Sequence, residues 1–111
     1  MTDTYLYIPN PKVKEGSSFT ATVYFRSGKS SDTPSTAKYR VDCLTTGKNL
    51  TAWTSLTPAT SVNISITPTE NAIQYSENKT EKKQITVAAD PDTSTETRSV
   101  AIYKVENIRG F

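Results

Sequence analysis

The chain has 111 residues, one Cys, no His and a formal net charge of +2. That length fits one domain, residues 1–111, with a real core and no need of covalent staples. Without His there is no Ser–His–Asp or Cys–His nucleophile and no imidazole metal ligand; one Cys forms no intrachain disulfide. Hydrophobic content is only 34%, and about a quarter of the residues are Ser or Thr. Six Tyr, three Phe, one Trp and many Val, Ile and Thr argue against disorder and for thin, two-faced strands.

Along the chain, period-two alternation recurs and no segment sustains a helical period. Tyr5 to Ile8 is a short apolar strand stopped by "PNP". After the turn "KEGSS", Ser18 to Arg26 alternates cleanly. Phe19, Ala21, Val23 and Phe25 point one way; Thr20, Thr22, Tyr24 and Arg26 point the other. "SGKSSDTPS" reads as a long polar loop.

Thr36 to Leu44 forms a second clean strand with Ala37, Tyr39, Val41 and Cys43 on one face. Cys43 thus reads as a small buried hydrophobe. "TTGK" makes a hairpin turn, in which Gly47 supplies positive φ, and "NLTAWTSL" returns beside it. Trp53 either covers the core or sandwich edge or stands out as an interface anchor.

Thr60 to Thr67 places Val62, Ile64 and Ile66 inward, and Pro68 ends it. Asn71 to Tyr75 is ambiguous. Glu81–Lys83, the one local basic cluster, reads as a solvated strand edge. Gln84 to Ala89 puts Ile85, Val87 and Ala89 on one face, and Thr97 to Asn107 carries apolar residues on both. About seven strands at sandwich-like spacing imply an all-β, immunoglobulin- or fibronectin-III-like antiparallel sandwich.

No constellation for catalysis is found, and no cofactor or metal is expected. Four Gly lie scattered at 16, 28, 47 and 110, so no phosphate cradle is present. Asp90, Asp92, Ser94 and Glu96 alternate like the opening of a calcium loop. Thr95 and Ala101 then stand where the turn Gly and the bidentate Glu belong, and solvated loop acids are the better reading.

The interspersed thirteen basic and eleven acidic residues argue against a nucleic-acid or membrane-surface partner. The opening "MTDTYLYIPNPKVKEG" has no apolar run of signal-peptide or membrane-span length. The sequons at Asn49, Asn63 and Asn78 carry no weight without one. Surface aromatics are the remaining resource: Tyr5, Tyr7, Tyr24 and Trp53, with Ile108 and Phe111 in the apolar C-terminal end, are the candidate interface residues.

The run "AKYRVDCLTTGKNLTAWTSLTPATSVNISITPTENAI" followed by "EKKQITVAADPDT" resembles small, stand-alone immunoglobulin-like proteins encoded among the structural genes of tailed bacteriophages. The resemblance covers about Thr36 to Asp90 and, more loosely, the whole chain. It implies a non-enzymatic virion component, a capsid decoration protein or a tail or neck accessory. Such a component is made in the host cytoplasm and contacts major capsid, tail or neck subunits, with homo-oligomers within the particle compatible. Unlike antibody domains, the chain has no pair of cysteines for an inter-sheet disulfide. The rival expectation is a carbohydrate-binding or adhesion module that stacks sugars on Trp53 and nearby Tyr side chains.

Overall fold

The computed structural model describes residues 3–75, 77–90 and 96–107. Nine strands occupy that span: β1 (Asp3–Tyr7), β2 (Lys12–Lys14), β3 (Phe19–Ser27), β4 (Ser30–Ser31), β5 (Ala37–Cys43), β6 (Asn49–Leu56), β7 (Ser61–Ile66), β8 (Thr80–Ala89) and β9 (Thr97–Glu106). Among the described residues there is no helix, so the all-β expectation holds. Two strands are additions to the sequence reading. Lys12–Lys14 and Ser30–Ser31 are only three and two residues long, too short to show alternation.

The strands build two sheets. In the first, β3 is flanked by β1 on one side and by β7 and β4 on the other. The second runs β2-β9-β8-β5-β6, and all its pairings are antiparallel except β2 with β9. The chain therefore leaves β1 in one sheet, crosses at Pro9–Pro11, and resumes as β2 in the other. Pro suits that step because it cannot donate to a ladder.

One core fills the space between the sheets, a β-sandwich-like arrangement. Ala21, Val23, Phe25, Ile64 and Ile66 come from the first sheet; Val41, Ile85, Val87, Tyr103 and Val105 come from the second. Each set lies at alternate positions, as the pleat demands. Phe19 and Tyr103 meet edge-to-face at 5.1 Å, a favourable ring geometry. Cys43 is buried at the end of β5, and the hairpin after it closes with Gly47 at φ 74° donating its N–H to the Cys43 carbonyl. A β-bulge in the β5–β6 pairing shifts register between Tyr39 and Asp42.

Asp90 stands at positive φ (50°), and its carboxylate accepts the Ser35 N–H at 2.8 Å. It thereby ties the end of β8 to the loop before β5. Of the calcium-loop candidates, Asp92 and Ser94 lie outside the described residues. Glu96 pairs with Arg98 at 3.2 Å.

Candidate functional site

The outer face of the first sheet gathers three of the expected interface residues. Leu6 of β1 and Val23 of β3 pack inward, so alternation turns Tyr5, Tyr7 and Tyr24 out. Tyr5 lies directly opposite Tyr24, and Tyr7 opposite Thr22. The three tyrosines are 50%, 62% and 43% exposed respectively, unusual for neighbouring rings. Beside them Thr22 donates to the Asn63 side chain at 3.1 Å, and Ser61 and Ser65 of β7 continue the face. The patch is aromatic and hydroxyl-rich, with Asp3 opposite Arg26 at one end. Tyr, Ser, Thr and Asn together make an adaptable contact surface: rigid amphipathic rings with small hydrogen-bonding groups between them.

Trp53 sits elsewhere, on the outer face of the second sheet. Its ring is half-buried and surrounded by cations: Lys38 Nζ at 4.5 Å, Arg98 at 5.4 Å and Arg40 at 5.5 Å from the centroid. These cations come from β5 and β9, two strands of the same sheet. The ring is neither core cover nor a bare anchor, and it does not adjoin Tyr5, Tyr7 and Tyr24. An aromatic platform made of Trp53 with those tyrosines is not formed. Ile108 and Phe111 lie outside the described residues.

The Glu81–Lys83 expectation is corrected. β8 is an inner strand, and the side chains of Glu81 and Lys83 are 0% exposed; only Lys82 faces solvent. The reason is phase. Residues 81 and 83 share parity with Ile85, Val87 and Ala89, so the same pleat that buries those three turns Glu81 and Lys83 inward.

Their charges are matched locally. Glu81 Oε1 accepts from Gln74 N at 2.7 Å, from Lys83 Nζ at 3.1 Å and from Cys43 Sγ at 3.8 Å. Its Oε2 accepts from Tyr75 N and Asn78 Nδ2, both at 2.9 Å. Lys83 Nζ also donates to the Ala72 carbonyl at 2.8 Å. Burial pushes the Glu81 carboxyl up. The donors from Gln74, Asn78, Tyr75 and Lys83 outweigh it and hold the group below its ordinary value of 4.5.

A second buried relay completes the anchor. Tyr103 Oη donates to Asn71 Oδ1 at 2.7 Å, and Asn71 Nδ2 donates to the Ser17 carbonyl at 2.8 Å. Burial, then the charge of Glu70, raises the Tyr103 hydroxyl well above its usual range, so it stays a donor. Just before it, Thr67 and Glu70 exchange reciprocal bonds, Thr67 N to Glu70 Oε1 at 2.9 Å and Glu70 N to Thr67 Oγ1 at 3.2 Å. That is the capping-box pattern of Thr-x-x-Glu, here closing a single turn.

The Asn71–Tyr75 segment, which alternation left ambiguous, is thus held by side chains rather than by a ladder. Glu81 keeps its acceptor sites on loop donors and is closed to solvent. It is a structural anchor and no candidate base.

No family model, curated protein or solved structure matches the chain.

Proposed function

We propose that the chain is a non-enzymatic binding protein, an immunoglobulin-like structural component of a tailed-phage particle, which docks on other particle subunits through the outer face of its first sheet. The carrying observation is the contiguous Tyr5–Tyr24 pair with Tyr7, exposed on β1 and β3 beside Thr22 and Asn63. Three large rings on one flat face are what a contact surface supplies and what a solvated sheet avoids. Among the described residues β1 also ends its sheet, although its Thr4 carbonyl already accepts from Ser99 Oγ of β9 at 3.1 Å, so the tyrosine rings rather than the strand edge make the contact.

Strand placement supports the immunoglobulin-like reading. On that reading β1, β3 and β7 take the places of the A, B and E strands, and β5, β6, β8 and β9 those of C, C′, F and G. The phage assignment draws on the resemblance over Thr36–Asp90.

The test is size-exclusion chromatography with light scattering on the purified protein, alone and mixed with tailed-phage virions or empty heads. Co-elution at a fixed copy number, lost in a Tyr5→Ala/Tyr24→Ala variant, is the expected result. A monomer that ignores particles overturns the docking reading. If glycan then quenches its tyrosine fluorescence, the same face belongs to an adhesion module.

A further inference from the structure

The second sheet carries a different feature on its outer face, at the end away from Trp53. Lys12 of β2 lies opposite Lys104 of β9, and Lys104 lies opposite Lys82 of β8. Neighbouring strands are about 4.8 Å apart, so the three lysine backbone positions form a row about 10 Å long. Like charges directly opposite one another destabilise a sheet. The other cations on this face have partners: Arg40 on Asp42, Arg98 on Glu96, and Lys38 over Trp53. Lys12 reaches Glu106 at 3.0 Å. For Lys82 and Lys104, no carboxylate lies within ion-pair distance among the described residues.

The row borders a shallow recess of about 410 Å³, lined by Pro11, Lys12, Lys82, Ile102, Tyr103 and Lys104. Its shape is fixed by backbone, since Lys104 N donates to the Pro11 carbonyl at 2.8 Å. Ile102, half exposed, stands beside the lysines, with exposed Val100 two residues along the same face.

We infer that this recess is a docking site for a short acidic segment of a partner polypeptide, with carboxylates on Lys82 and Lys104 and an apolar side chain on Ile102. Charge complementarity selects the occupant. Alternate carboxylates on an extended segment are about 6.8 Å apart, a spacing the row accommodates. A nucleic acid fits less well. The row is short and ends at Glu106; the Tyr103 ring at the recess is buried in the core, and Trp53 on the same outer face already has cations against it where a base would stack. The site is separate from the tyrosine face and does not rest on the particle reading.

Fluorescence anisotropy of a labelled peptide of eight Glu residues with one central Leu tests it. Binding is expected at about 50 mM salt and is at least tenfold weaker at about 500 mM. Lys82→Glu/Lys104→Glu should weaken binding by at least about tenfold, while Tyr5→Ala/Tyr24→Ala leaves it unchanged. Lys104→Glu alone, which sets an acid between two lysines, should also raise the thermal midpoint by a few degrees. That readout distinguishes a row kept for a partner from one kept for the fold. The inference is overturned by any of four results: no binding at low salt, equal binding by the double variant, a lowered midpoint for Lys104→Glu, or displacement by a single-stranded oligonucleotide at lower concentration than by unlabelled peptide.

Discussion

Two ion pairs of the same spacing sit on adjacent strands of one sheet and do opposite work. Glu81 and Lys83 on β8 face inward; Arg40 and Asp42 on β5 face outward. The outer pair has the better geometry, a two-pronged contact at 2.8 and 2.9 Å against a single 3.1 Å contact inside. Its side chains are nevertheless 34% and 22% exposed, where water and salt compete for both charges. Inside, each charge was stripped of water, and only the donors of Gln74, Tyr75 and Asn78 to Glu81, with the Ala72 carbonyl accepting from Lys83, make that tolerable. Environment decides the worth of an ion pair more than distance does.

The largest expected effect follows from that asymmetry. Glu81→Gln leaves Lys83 buried and uncompensated, and should cost about 3–5 kcal/mol, read as a shift in urea midpoint. Against a total stability of about 5–15 kcal/mol, this is a large share. Lys83→Met should cost less, because Glu81 keeps its donors from Gln74, Tyr75 and Asn78. If Arg40→Ala proves as costly as Glu81→Gln, the comparison fails.

Acid sharpens the contrast. The Glu81 carboxyl titrates below 4.5 in the folded chain, so the unfolded chain takes up the proton first as pH falls. Stability from this group is therefore fully present at neutral pH and is lost as pH drops through about 4.5 and below. Urea midpoints at pH 7 and about pH 3 should differ more for the parent protein than for Glu81→Gln. Asp42 is also held low, with burial opposing and Arg40 and Asn49 lowering it, so Asp42→Asn should remove a smaller part of the acid sensitivity.

A double-mutant cycle on Arg40→Ala and Asp42→Ala should give a coupling of about 0.2–1 kcal/mol. Coupling above about 2 kcal/mol would place the outer pair with the buried one. The smallest effect on stability belongs to Tyr5→Ala/Tyr24→Ala, within about 0.5 kcal/mol per site by thermal melt, although binding to a partner should be abolished. Surface rings that fold does not need are the ones free to serve recognition.

Much of this was legible in the residues. The alternation of Phe19 to Phe25 and of Ala37 to Cys43 named the inward faces, and Tyr24 was read outward as it stands. The Gly47 turn was legible as well. Glu81 and Lys83 were readable by phase, since they continue Ile85 and Val87, but their polarity argued for solvent and nothing nearby in sequence announced the partners. Those partners, Gln74, Tyr75 and Asn78, arrive from a segment without periodicity. Tyr5 opposite Tyr24 and Lys12 opposite Lys104 could not be seen at all, because each pairing joins strands whose register only the folded sheet sets.

The amino-acid order by itself determined the class of structure, the inward residues of the long strands, and the lack of any histidine-dependent chemistry. These follow from the two-residue repeat of a strand and from composition, both local properties. The tertiary structure decided the rest: which sheet each strand joined, that the tyrosines gather on one face while Trp53 lies among cations on another, and that one acid–base pair is buried while its twin is not. Those outcomes depend on strand register and on burial, which are shared between distant segments and belong to no stretch of the chain alone.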